Sequence, residues 1–135
     1  MDKIQNGVSL YQQALNLRAL KQQHIASNIA NADTPKYLAK EFDFSAALKA
    51  AQTKNDTQNV AVSNQNHLTL DNNGNTPNVD LQYRVPVQAK GDGNTVEVEH
   101  EKKEMIENSI QYQFLTQLTT DYFNKLRMAM SSERQ

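Results

Sequence analysis

Cysteine is absent from the 135-residue chain, which excludes disulfides, thiolate zinc sites and cysteine nucleophiles. Its absence leaves the compartment open, because a chain without thiols tolerates either redox setting. An excess of one charge is also lacking: the formal net charge is −1, and basic residues are scattered among acidic ones. This pattern does not favour a nucleic acid or an anionic membrane, and we expect no nucleic acid among the partners.

Long hydrophobic runs are missing too. No stretch approaches the roughly 20 apolar residues of a membrane span, and Gln, Asn and Arg interrupt the N-terminal segment "MDKIQNGVSLYQQALNLRAL" where a signal peptide would be apolar. The sequence therefore predicts a cytosolic protein or one exported without a cleaved signal. Because the hydrophobic fraction is 38% and mean hydropathy is −0.75, we expect a small core and folding that is completed against partners.

Patterns that carry enzymatic chemistry are scarce. The histidines His24, His67 and His100 are far apart, and "HEKKE" from His100 lacks the second histidine of a zinc-protease motif. "GDG" at 91–93 is not followed by the Lys-Ser/Thr of a phosphate-binding loop. We therefore predict no catalytic, cofactor-binding or metal-binding residues, no small-molecule substrate and no enzymatic activity.

Hydrophobic periodicity predicts a first helix at about residues 8–31. Gly7 weakens a start before Val8, and Ser9 is a candidate N-cap. The apolar positions follow alternating steps of four and three, with a flanking stripe, and the surface is wide for one antiparallel partner. Its members include Leu10, Leu15, Leu17, Ile25 and Ile29.

The segment "NADTP", residues 31–35, predicts the end of this helix. Thr34 precedes Pro35 and is therefore disfavoured in the α region. Asn31 suits a left-handed cap, and Asp33 can bond to its own backbone. The aromatic residues that follow, Tyr37, Phe42 and Phe44, are expected to pack the turn against the rest of the protein.

The middle of the chain combines polar and turn-forming segments. It is too long for a structureless loop within a compact domain, so we expect some β structure or an extended arm there. The predicted elements are one or two helical turns at 45–52, a polar loop at 53–67, a short strand and turn at 67–75, an edge strand within 79–88 and a turn at 90–94.

The C-terminal segment predicts a long helix at about residues 96–130, which contain no proline or glycine. Apolar residues recur at every fourth position, and each such step adds about 40° of rotation, so the stripe winds around the helix. A winding stripe needs partners on several sides. Its members are Ile106, Ile110, Phe114, Leu118, Tyr122, Leu126 and Met130.

Three motifs make the chain resemble the axial rod proteins of the bacterial flagellum. "SNIANADTPKY" at 27–37 is similar to the family signature "ANxxTPGY", and "VDLQYRVP" at 79–86 and "DGNTVEVEHEKKEMIENSIQYQ" at 92–113 are further matches. "ALNLRA" at 14–19, the "YRVP" tetrapeptide and the short length favour the proximal rod. Lys36 stands where the family commonly has glycine, so either the turn does not need a positive φ or it is strained. The signature residues are Asn28, Ala30, Asn31, Asp33, Thr34, Pro35 and Tyr37.

The resemblance implies a mainly α fold in which the long terminal helices pair as an α-helical coiled coil around a small irregular or β-containing middle. It divides the chain into an N-terminal rod-core helix at 1–34, a middle segment at 35–95 and a C-terminal rod-core helix at 96–135. The helix-packing residues of the assembly would be Leu10, Leu15, Leu17, Ile25, Ile29, Ile106, Ile110, Phe114, Leu118, Tyr122 and Leu126.

In function, the resemblance implies a structural subunit that polymerises helically in the periplasmic rod and forms part of the drive shaft that transmits motor torque. The implied partners are copies of itself, other flagellar rod proteins, the inner-membrane ring, the rod–ring junction protein and the flagellar type III export apparatus. Export would proceed without a cleaved signal peptide. An alternative consistent with two amphipathic helices is a soluble helical adaptor that binds one partner without polymerising.

Overall fold

The computed structural model describes residues 2–56, 79–85 and 90–132. The described residues form three helices and two short strands, and the predicted mainly α fold with a small β-containing middle is confirmed. In chain order these elements are α1 (Asp2–Ala30), β1 (Lys40–Glu41), α2 (Phe44–Asp56), β2 (Gln82–Tyr83) and α3 (Val98–Ser132).

Helix α1 begins at Asp2, earlier than the predicted residue 8, so the expected weakening by Gly7 is wrong. Gly7 lies inside the helix because α3 passes close by: a Cβ atom there would meet the Tyr122 ring, 2.8 Å from its Cζ. The expectation that Ser9 caps the helix is also wrong. Ser9 is internal, and its Oγ accepts a hydrogen bond from Gln13 Nε2 at 3.1 Å.

Helices α1 and α3 pack together in antiparallel orientation. Near one end, the rings of Tyr11 and Tyr122 lie 5.4 Å apart between centroids. Nearer the other end, Lys21 Nζ lies 2.6 Å from Glu104 Oε2. The 35-residue α3 is about 50 Å long, so it extends beyond the surface that α1 and the middle segment can cover.

Helix α2 is capped by Asp43, whose Oδ1 accepts hydrogen bonds from the backbone N–H groups of Ser45 and Ala46 at 2.7 and 3.2 Å. The helix runs to Asp56, so it is longer than the predicted 45–52, and the predicted loop at 53–67 loses residues 53–56. Against α1 it closes a small apolar core, as the low hydrophobic content implied. The core consists of Leu17, Phe42 and Ala47, with Leu20, Phe44, Leu48 and Val79 packed against it.

Strands β1 and β2 pair antiparallel, with Lys40 opposite Tyr83 and Glu41 opposite Gln82. Arg84 continues the pairing, because its N–H donates to the carbonyl of Ala39 at 3.0 Å. The predicted edge strand within 79–88 is confirmed, although it is only two residues long. The predicted strand and turn at 67–75, and the loop at 57–67, lie outside the described residues.

The turn after α1 differs from its prediction at two positions. Within the described residues a positive φ occurs at Lys36 (61°) and Gly93 (74°) but not at Asn31, so the predicted left-handed Asn31 cap is wrong. The Tyr37 N–H donates to the Thr34 carbonyl at 3.3 Å. With Pro35 second and a positive φ third, this is the arrangement of a type II turn. The family turn therefore keeps its positive φ, and Lys36 bears the strain.

Lys36→Gly is expected to stabilise the protein. Relief of the left-handed penalty, about 1–2 kcal/mol, exceeds the extra unfolded-state entropy of glycine, about 0.5–1 kcal/mol. Thermal unfolding followed by circular dichroism should show a higher midpoint. Pro35→Ala is the matched comparison and should lower the midpoint, because it removes the fixed φ of the second turn position. A lower midpoint for Lys36→Gly than for Pro35→Ala would contradict this description of the turn.

Candidate assembly site

The residues of the family signature meet the start of α3 through the buried side chain of Asn94. Its Nδ2 donates to the carbonyls of Asn31 and Thr34 at 2.9 and 2.7 Å, and its Oδ1 accepts from the Val96 N–H at 2.7 Å. One amide thus adds a second hydrogen bond to two carbonyl groups near the end of α1, which also accept from the Thr34 and Tyr37 N–H groups. The Lys36 N–H also donates to the Asp92 carbonyl at 3.0 Å, so the two segments are joined on both sides of the turn.

Asn28, the buried asparagine of the signature, continues the connection into the helix pair. Its Nδ2 donates to the Lys40 carbonyl at 2.9 Å and to Glu101 Oε2 at 3.1 Å. Its Oδ1 accepts from the Lys40 N–H at 3.1 Å and from the Tyr37 hydroxyl at 3.4 Å. The side chain therefore holds β1 against α1 and contacts α3 at the same time.

Arg84 brings the middle segment into this network. Its NH1 donates to Glu101 Oε1 at 2.5 Å, and its Nε and NH2 donate to Glu41 Oε2 at 2.8 and 2.6 Å. Burial alone would lower the pKa of Arg84, but the hydrogen bonds to Glu41 and Glu101 outweigh it and raise the pKa. Glu101 is fully buried, and Asn28 and Arg84 together occupy both of its oxygens, which is what a buried carboxylate requires.

Further along the helix pair, Asn108 of α3 is buried against α1. Its Nδ2 donates to the Arg18 carbonyl at 3.0 Å and to Gln22 Oε1 at 2.9 Å, and Arg18 NH1 approaches its Oδ1 at 3.5 Å. The Arg18 guanidinium lies 3.6 Å from the centre of the Phe44 ring, a cation–π contact that ties α2 to this layer. Burial lowers the pKa of Arg18, and the nearby Glu104 only partly opposes that shift.

A cavity of about 310 Å³ lies where α1, the strands and the start of α3 meet. Its charged lining is largely paired, by Lys21 with Glu104 and by Arg84 with the two glutamates it contacts. His24 packs edge-on against Phe42 at 5.9 Å, and burial together with Lys40 lowers its pKa. The described residues contain no cluster of three or more metal-binding side chains.

The face of α3 that points away from α1 carries apolar side chains exposed to solvent. Ile106, Ile110 and Phe114 are 62%, 59% and 64% exposed. We call these three residues the outer stripe. The next members of the four-residue series, Leu118, Tyr122 and Leu126, are half-buried, so the series winds from solvent toward α1 as its spacing predicts. A row of exposed apolar side chains of this kind indicates an interaction surface.

The other sequence-selected residues are distributed between the core and the surface. On α1, Leu17 and Ile25 are buried, whereas Leu10, Leu15 and Ile29 are half-buried. In the signature, Asn28 is buried and Asn31 and Tyr37 are half-buried; the exposed members are Ala30, Asp33, Thr34 and Pro35.

Three residues that hold the site together were not singled out from the sequence: Arg84, Asn94 and Asn108. Glu101 was considered only within the "HEKKE" segment. All four lie inside quoted motifs, since Arg84 belongs to "YRVP" and the other three to the segment 92–113. For Glu101 and Asn108, the available signal was a polar residue on the face of α3 that packs against α1. Hydrophobic periodicity does not reveal such residues, because it depends on the spacing of apolar residues alone.

Comparisons of the sequence with known proteins point to a single family. Residues 11–37 match the family described as flagella basal body rod protein. The chain is 40% identical to flagellar basal body rod protein FlgB of Salmonella typhimurium and to that of Escherichia coli, in each case over 84% of both chains. It is 36% identical to the FlgB protein of Aeromonas hydrophila over 93% of this chain and 92% of the relative. In the part of the chain that the structure describes, no helix has the length and apolar character needed to cross a membrane.

Asn94→Ala is expected to destabilise the protein by about 2–4 kcal/mol, because it leaves the buried Val96 N–H without its acceptor and removes the hydrogen bonds to the Asn31 and Thr34 carbonyls. The control is Asn124→Ala on the exposed surface of α3, which should change stability by less than about 0.5 kcal/mol. Urea unfolding of both variants measures the difference. Equal midpoints would show that the junction contributes little to stability.

Acid sensitivity should depend on Lys21. The hydrogen bond from Lys21 is the largest influence on Glu104 and lowers its pKa below the ordinary 4.5, while burial acts in the opposite direction. A depressed folded-state pKa stabilises the protein above the unfolded pKa, and that contribution is lost as the pH falls through the folded value. Lys21→Met should therefore lose less stability than the parent between pH 6 and the acid range below about 4.5, as followed by urea midpoints at each pH. An unchanged pH profile would contradict this assignment.

Proposed function

We propose, from the premise that the chain belongs to the FlgB family of flagellar basal body rod proteins, that it polymerises helically within the proximal rod. The family identifies a structural protein of the basal body rod, which is consistent with the expectation of no enzymatic activity. In the proposed assembly each subunit forms part of the shaft that transmits motor torque. The chain reaches the periplasm through the flagellar type III export apparatus without a cleaved signal.

The observation that carries the polymerisation is the outer stripe. Its three side chains stay more than half exposed although α3 already packs against α1 on another face. Burying one such side chain is worth about 1.5–3 kcal/mol, so covering all three provides a substantial driving force for association. The proposed occupant is a second copy of the chain, because a rod is built from repeated subunits.

A helical polymer needs two different faces on every subunit, since its contacts are heterologous and do not close into a ring. The outer stripe supplies one such face, and the exposed Phe123 and Met130, on a different side of α3, supply a second. A soluble adaptor that binds one partner does not need this arrangement. Other rod proteins, the inner-membrane ring and the rod–ring junction protein are the proposed neighbours at the ends of the assembly.

Phe114→Asp tests this function. Phe114 is exposed, so the carboxylate should leave the monomer folded and exportable, but at a subunit interface it would be buried without a partner at a cost of several kcal/mol. We expect export without rod formation, and therefore non-motile cells lacking hook and filament. The measurements are cell fractionation, imaging of basal bodies and pelleting of the purified protein at high concentration.

The matched control is Ser109→Asp, which places the same charge on an exposed position of α3 away from the outer stripe. Its rods and motility should be close to normal. Leu118→Asp is expected to be more severe, because Leu118 is half-buried and its loss affects the helix pair as well as the assembly. Normal rods built from Phe114→Asp protein would refute the proposal, and a purified chain that stays monomeric at every concentration would favour the adaptor.

A further inference from the structure

The first half of α3 has its polar and apolar faces in an inverted arrangement. Glu101 and Asn108 are buried against α1, whereas the outer stripe of Ile106, Ile110 and Phe114 lies in solvent. At about 100° per residue, the two groups stand on nearly opposite sides of the helix. Within this half of α3, hydrophobic burial alone would favour a roll of about half a turn that places the outer stripe against α1, whereas Tyr122 in the second half, packed on Tyr11, favours the observed rotation.

The contacts of Asn108 oppose that rolling. Its amide donates to the Arg18 carbonyl and to Gln22 Oε1, and a buried amide must keep partners of this kind. The Arg18 carbonyl belongs to the helix backbone and cannot follow a rotated α3. Rolling would therefore break both hydrogen bonds and place apolar side chains over Gln22 Oε1, which would lose its donor, while it buried the apolar area of the outer stripe.

Asn108 differs from the other polar residues on the same face. Glu104 is only partly buried, and its partner Lys21 ends in a flexible ammonium group that can follow it. Glu101 is held partly by Arg84 of the middle segment. Every hydrogen bond of Asn108 described above goes to α1, so Asn108 relates the rotation of one long helix directly to the other.

We propose that Asn108 sets the rotation of α3 against α1 and thereby keeps the outer stripe facing away from its own chain. A single buried asparagine in a helix pair can select one arrangement among several of similar apolar content, at some loss of stability. The consequence for assembly rests on the function proposed above: a subunit whose α3 had rolled would have covered its own docking surface.

The absence of cysteine allows a direct test in the dilute monomer. Ile110→Cys reports on the outer stripe, and Ser109→Cys reports on a flank that is exposed before and after rolling. In the otherwise unchanged chain both thiols should react with a maleimide at similar rates. In the Asn108→Leu background the cysteine at 110 should react at least about tenfold more slowly, while the cysteine at 109 keeps its rate. Unchanged reactivity at 110 would overturn the proposal.

A variant that fails to fold is recognised by loss of helical circular dichroism and by fast reaction at both positions. Asn108→Ala then replaces Asn108→Leu with the same two reporters, and the same slowing at 110 is expected because the hydrogen bonds are again removed. Loss of helix in both variants would assign Asn108 to the fold as a whole and would also overturn the proposal.

Pelleting of Asn108→Leu without reporters separates this inference from the proposed function. Covered stripes should reduce polymer formation at high concentration even where the thermal midpoint is unchanged or higher. If the thiol at 110 is protected but polymerisation is normal, the rotational role of Asn108 stands and the outer stripe is not the assembly surface. If reactivity is unchanged and polymerisation is normal, the proposed function survives and the rotational role fails.

Discussion

The buried carboxylate of Glu101 is the constraint on which the junction of the two long helices depends. A carboxylate without solvent must have hydrogen-bond donors, and here they come from two distant parts of the chain, Asn28 of α1 and Arg84 beside β2. Asn28 reaches Glu101 only when α1 and α3 pack together, and Arg84 reaches it only when the strand pair lies against these helices. One ionised group thus makes the docking of the middle segment and the packing of the terminal helices conditional on each other.

The turn after α1 follows from the same requirement. Asn94 donates to two carbonyl groups near the end of α1, and the Lys36 N–H, in the turn that follows α1, donates to the Asp92 carbonyl. The turn needs a positive φ at its third position, and Lys36 adopts one at 61° although a side chain disfavours it. The hydrogen bonds on both sides of the turn outweigh this local strain, so the family turn survives the replacement of its usual glycine.

In the helix pair, polar contacts hold the first half of α3 and apolar contacts the second. Asn108 and Glu104 face α1 near the junction, whereas Tyr122 packs on Tyr11 and closes over Gly7 further along. Because polar contacts hold the first half of α3 against α1, apolar side chains of that half can lie on the solvent-exposed face. In the proposed assembly, this division keeps hydrophobic surface available for the next subunit.

The sequence by itself determined the two long helices, the stop at "NADTP", the scarcity of core and the winding of the apolar series on α3. These properties depend on local propensity and spacing, which neighbouring residues set without reference to the fold. It also contained the motifs that identified the rod family. Tertiary structure alone decided that Gly7 admits Tyr122, that Lys36 takes a positive φ, and that Arg84, Asn94, Glu101 and Asn108 form the polar connections. Hydrogen bonds between residues about 60–90 positions apart produce no periodic pattern along the chain. The packing of the helices therefore decides which polar residues are buried and which face of α3 is left in solvent.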